Sequence, residues 1–178
     1  MIRPLIQGAL AGLAATAPMT AAMMLGHRRL PWHERYPLPP RQITMRVASA
    51  VGVRKYLDED KKRGMTLVAH YGYGAAMGTL FGAMTGTASK DQPACNIGQG
   101  MAFGLGVWAA GYLGLLPALG IFRPATQHPT RRNLLMVGSH VVWGASLAQL
   151  YRTLQTTDPV DDRHKGDPSC HIGHTNQH

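Results

Sequence analysis

Charged and apolar residues are sorted into separate blocks along this 178-residue chain. All 18 Lys and Arg and all 9 Asp and Glu lie outside residues 4–27, 64–89, 92–122 and 133–151. An uncharged, mostly apolar stretch of about 20 residues is long enough to cross the hydrocarbon core as a helix. The pattern predicts an all-α polytopic membrane protein with helices at about 4–25, 64–86, 97–122 and 133–151. These form one domain over 1–152, and the polar residues 153–178 read as a disordered tail. The near-neutral mean hydropathy of −0.11 would suit a soluble protein, but a whole-chain average hides this segregation. The first apolar block is longer than a signal-peptide core and is interrupted at Pro18, so it is expected to stay as a kinked helix. Thr16 or Thr20 would satisfy the backbone group that Pro18 frees.

Within the blocks, small residues recur every fourth position, which keeps them on one helix face. Gly8 and Gly12 form such a pair in the first block, and Gly100 and Gly104 form one in the third. In the second block Gly74, Gly78 and Gly82 follow His70; in the fourth, Gly144 and Ala148 follow His140. Both histidines open the same short pattern, His-x-x-aromatic-Gly-Ala. Small stripes of this kind let membrane helices approach closely, so both histidines are expected to face other helices. The echo between the halves also predicts two repeated helical hairpins.

Residues 26–63 form a long loop that holds ten of the eighteen basic residues. Its Pro-rich stretch, residues 36–41, reads as extended. Ile43, Val47 and Val51 then fall on one face of a short amphipathic helix, which either lies on the bilayer or packs on the bundle.

The net charge of +9 does not point to nucleic acid, because the basic residues flank the apolar blocks. Arg28, Arg29, Lys61, Lys62, Arg63, Arg131 and Arg132 sit at three borders and are expected at lipid headgroups. The loops after the first and third helices carry thirteen Lys and Arg, against five elsewhere, which places those loops in the cytoplasm and both termini in the periplasm. On that topology Cys95 and Cys170 share the outer side, as a disulfide or as two thiols.

His70 lies about 9 Å along its span and His140 about 12 Å along its own, at 1.5 Å per residue, so the two imidazoles come to similar depth. Tyr73, Met77, Trp108 and Trp143 are placed to line a pocket around them. Three readings remain open for the pair: helix-to-helix hydrogen bonding, ligation of a b-type haem or a metal ion, and another ligand or proton role. No carboxylate lies in any span, which argues against a carboxylate-coupled transporter. No group is placed to orient a nucleophile, and no catalytic residue is predicted. In the tail, Cys170, His171, His174 and His178 are a weak metal-binding signal without zinc spacing.

Three further features carry a family resemblance. Pro37-Leu38-Pro39-Pro40-Arg41 follows the first apolar block, a histidine opens the second helix, and Gly138-Ser139-His140-Val141-Val142-Trp143 precedes an arginine at the end of the fourth. Over roughly 4–152 the chain resembles the YagU-like family of bacterial inner-membrane proteins. That resemblance implies a multi-spanning inner-membrane protein with no established activity, and members with basic termini, unlike the arrangement here.

The resulting expectation is a non-enzymatic membrane protein that binds a small ligand or a membrane partner through its Gly-rich bundle, as a monomer or a homo-oligomer in the lipid bilayer. A bis-His b-type cytochrome and a small-molecule transporter or channel subunit are the alternatives.

Overall fold

The computed structural model describes residues 2–35, 37–86, 96–118, 120 and 129–156. Among these residues the chain is all-helical: α1 (Ile2–Arg29), α2 (Pro39–Ala50), α3 (Glu59–Gly86), α4 (Ile97–Ala118) and α5 (Thr130–Thr156), with short 3₁₀ turns at Trp32–Glu34 and Arg54–Tyr56. α1, α4 and α5 are long and apolar enough to cross a membrane. α3 is as long as α1 but falls short in apolarity, so three candidate spans stand where the charge pattern predicted four. Its glycines, His70, Tyr71 and Tyr73 dilute its Leu, Val and Met.

Local chemistry sets the helix ends. Asn96 accepts from the Gln99 backbone N–H at 2.8 Å while the Gln99 side chain accepts from the Asn96 N–H at 3.0 Å, a capping box that starts α4. α3 starts five residues before the expected Gly64, because Asp58 accepts from the Lys61 N–H at 2.8 Å and Glu59 and Asp60 occupy the first turn. Arg35 donates to the carbonyls of Leu30 and Arg28, each at 2.7 Å, closing the end of α1. In α2, Pro39 and Pro40 open the helix instead of continuing the extended stretch expected through Arg41, since proline suits a first turn whose N–H groups have no helical partner. Gly52, at φ 76°, takes the left-handed position just after α2. α5 passes its expected end at 151 and takes Thr153–Thr156 out of the polar tail.

α1 and α5 form the centre, with α3 packed on α1 and α4 packed on α5. Glycines make both outer seams. A Cβ on Gly12 would overlap the Gly74 carbonyl oxygen and come within 2.8 Å of Gly78 Cα; Gly8 meets Gly78, and Gly82 meets Pro4 and Gly8. On the other side Gly100 meets the Gly144 carbonyl and Ala148, and Gly104 meets the His140 carbonyl. Such backbone-to-backbone approach is open only to glycine. Behind the seams, Phe81 contacts Phe103 at 5.2 Å and Tyr151 at 5.6 Å between ring centroids, closing one end of the bundle.

α1 runs through Pro18 as one helix. The nearby hydroxyls do not reach the carbonyl of Ala14 that Pro18 leaves without a helical donor: Thr16 donates to Gly12 at 2.8 Å and Thr20 to Thr16 at 2.7 Å.

Candidate functional site

A cavity of about 330 Å³ lies away from the Phe81 cluster, with α2 forming part of its wall. Every helix contributes wall: Thr16, Met19 and Met23 from α1; Pro39, Pro40, Ile43 and Thr44 from α2; His70 and Tyr73 from α3; Gly111, Tyr112 and Leu116 from α4; His140 and Trp143 from α5. The structure therefore brings His70 and His140 to one space.

His140 is 8% exposed and fixed by its own helix, with Nδ1 2.8 Å from the Met136 carbonyl oxygen. That oxygen can only accept, so Nδ1 carries the proton; in the neutral ring Nε2 keeps its lone pair. Tyr112 stands edge-on to the imidazole at 6.2 Å and is itself stacked on Trp108. His70 is edge-on to Tyr71 at 6.2 Å, and its Nε2 is buried with no hydrogen-bond partner among the described residues.

Tyr112 reaches His140 from an irregular stretch. Residues Ala110–Leu115 form a wide π-type turn within α4. Pro117 follows two residues after Leu115, and its missing N–H and its ring disturb the α-helical ladder upstream. Gly111 and Gly114 weaken the regular helix there further. Gly111 thereby comes to the cavity wall with open space where a Cβ would stand.

Of the aromatic and Met positions expected around the pair, Tyr73 and Trp143 line the cavity. Trp108 instead backs Tyr112, and Met77 packs against the hydrophobic core. Trp143 donates through Nε1 to the Gly12 carbonyl at 3.3 Å. The methionines of α1, the Pro-Pro corner of α2 and Tyr112 were not foreseen as wall; the four-spaced run Gly100, Gly104, Trp108, Tyr112 was the available signal for Tyr112.

α2 packs on α3, and its inward face is Pro39, Thr44, Met45 and Ala48. The expected stripe divides: Ile43 lines the cavity, while Val47 at 49% and Val51 at 65% exposure face away from the bundle. Two polar ties hold α2. Arg41 pairs with Glu59 at the start of α3. Arg132, only 3% exposed, donates to the carbonyls of Pro37 at 2.7 Å and Glu34 at 3.3 Å. Arg132, expected at the lipid headgroups, is thus buried against loop carbonyls that need a donor. Arg28, Arg29 and Arg131 are exposed, while Lys61, Lys62 and Arg63 pair with Asp58, Glu59 and Asp60 one turn back.

No group of three or more metal-ligating side chains occurs among the described residues. Cys95, Cys170, His171, His174 and His178 lie outside the described residues.

A family model described as a protein of unknown function (DUF1440) matches residues 28–149. The chain belongs to that family. The DUF1440 region takes in α2, α3, α4, both histidines and Trp143, while α1, with its share of the cavity wall, lies almost wholly ahead of it. No curated protein and no solved structure matches the chain.

Proposed function

We propose that this DUF1440 protein is a multi-pass bacterial inner-membrane protein that binds a small, largely apolar molecule between His70 and His140, without catalysing a reaction on it. The observation that carries this reading is one cavity, walled by five helices, with two imidazoles as its only ionisable side chains besides tyrosine among the described residues. Its volume of about 330 Å³ falls in the range of small-molecule sites, about 300–1,000 Å³. Most of its wall is Met, Pro, Leu, Ile and aromatic side chain.

In this reading α3 is the fourth span. It lies antiparallel along α1, from Gly82 beside Pro4 to Gly74 beside Thr16, and turns Leu67, Val68, Leu80 and Met84 outward. The basic loop then faces the cytoplasm and both termini the periplasm. The two hairpins α1/α3 and α4/α5 read as a repeat slipped by one turn. Gly12 meets Gly74, four residues after one histidine, whereas Gly104 meets the carbonyl of the other histidine itself.

Gly111→Phe tests the site, because Gly111 lines the cavity and a Cβ there meets nothing within 4 Å, which leaves room for a ring to fill it. Native mass spectrometry of the chain released from nanodiscs is expected to show one small-molecule adduct per chain that Gly111→Phe removes. Spectra that retain lipid adducts but show no such difference contradict the proposal.

A second reading, bis-His ligation of haem b, is favoured by one observation: a ligating histidine commonly donates its other ring nitrogen to a carbonyl, as His140 does to Met136. Its test is the visible spectrum of protein from a haem-replete host, before and after dithionite. A Soret band that shifts on reduction and vanishes in His140→Ala supports it; a flat spectrum removes it.

A further inference from the structure

We infer that the molecule taken between His70 and His140 is an uncharged ring compound bearing a hydroxyl group, of the quinol or alkylphenol class; this rests on the cavity being a ligand site. Charge is decided by the wall. Among the described residues, no Lys, Arg, Asp or Glu lines the cavity. An ion entering an apolar site without a counter-charge loses its hydration and gains nothing comparable. Fatty acids, phosphate headgroups and alkyl amines are thereby disfavoured.

The hydrogen bond offered at His140 follows from its fixed tautomer, while the hydroxyls of Tyr73 and Tyr112 also stand in the wall. Thr16 donates to Gly12, Thr44 to Pro40 and Trp143 to Gly12. At His140 the Nδ1 proton is held by Met136, so the remaining nitrogen accepts. A ligand hydroxyl satisfies it; a ketone or quinone oxygen at that nitrogen would set lone pair against lone pair and would have to turn to His70 or a tyrosine hydroxyl. The buried Nε2 of His70, unpartnered among the described residues, offers the second polar contact.

Shape comes from the aromatic groups. Tyr112 is edge-on to His140, at 6.2 Å and 84°, and Trp143 shares the wall, with Met19 and Met23 as adaptable sulfur-bearing surface. Such a surface suits a planar ring. Two wall residues are themselves half exposed, Tyr73 at 49% and Leu115 at 57%. They mark a mouth between α3 and α4 through which an alkyl tail reaches the lipid.

The test is isothermal titration of the full chain in nanodiscs, with empty discs as reference, using decylubiquinol, decylubiquinone, decanoate and decyltrimethylammonium. Saturable binding of decylubiquinol is expected at one per chain, with decylubiquinone weaker by about ten-fold, the scale of one buried hydrogen bond. His140→Phe, which keeps a ring and removes the acceptor, is expected to erase that preference. Decylubiquinone binding as tightly as the quinol overturns the inference. So does decanoate or decyltrimethylammonium binding in the quinol's place, though Gly111→Phe-sensitive binding of either leaves the cavity as a ligand site. No saturable binding of any probe counts against both the ligand class and the site.

Discussion

The indole N–H of Trp143 donates to the carbonyl of Gly12 at 3.3 Å, joining α5 to α1 at the point where Gly12 is pressed against Gly74 of α3. Three helices are tied there, and the same indole forms cavity wall. Trp143→Phe keeps much of the ring and loses the bond. It is expected to cost about 1 kcal/mol, the typical net value of a hydrogen bond, read as an earlier midpoint in denaturant titration of the detergent-solubilised protein.

The glycine seams give a sharper contrast. Gly12→Val has no room, since even a Cβ overlaps the Gly74 carbonyl. Overpacking of this kind typically costs about 1–3 kcal/mol, and a seam of backbone leaves little to yield. Gly106→Ala, where nothing lies within 4 Å of the added Cβ, is expected to leave stability unchanged or raise it by up to about 1 kcal/mol through helix propensity. The same denaturant titration compares the two; equal effects would contradict the seam.

Arg132 fastens the loop that carries α2. Arg132→Ala removes donors to Pro37 and Glu34, and a hydrogen bond from a charged group is worth about 1.5–3 kcal/mol. Faster amide exchange across Pro39–Ala50 is the expected readout, with α1 and α5 unaffected. Arg132→Lys is not expected to restore it, because one ammonium does not reproduce a planar fork reaching two carbonyls.

The second tie responds to acid. The Glu59 carboxyl is held below its ordinary 4.5, at about 2, first by the Lys62 ammonium and then by the Arg41 guanidinium. A depressed folded value means that the interaction is complete above about 4.5 and is lost as pH falls toward about 2. Exchange in α2, corrected for its intrinsic pH dependence, is expected to accelerate across that window in the native protein. Glu59→Gln should show the accelerated rate already at neutral pH, with no further change across the window.

The helices and both glycine seams were legible because four-residue spacing of small residues has one meaning in a membrane helix. Counting residues gave His70 and His140 a similar depth but left open whether they share a site. The sequence left open whether α2 lies on the bilayer or packs on the bundle; Ile43 lines the cavity and Thr44 and Ala48 are buried, while Val47 and Val51 face outward. In a membrane protein, apolar character does not say which side is inside. Arg132 was misleading for a related reason, since a border arginine and a buried loop clamp look alike until the loop's carbonyls are placed. The wide turn at Ala110–Leu115 shows in sequence only as Pro117 and two glycines, which signal irregularity without its form.

The central claim is that His70 and His140 face one cavity. ¹⁵N-histidine NMR of the chain in nanodiscs, comparing wild type with Gly111→Phe, tests it without assuming any ligand. The account predicts that the imidazole nitrogens of both His70 and His140 shift while those of His27 and His33 stay in place. His70 is the deciding signal, because it sits on α3 and meets the substituted helix across the cavity. A shift at His140 with His70 unmoved would contradict the account.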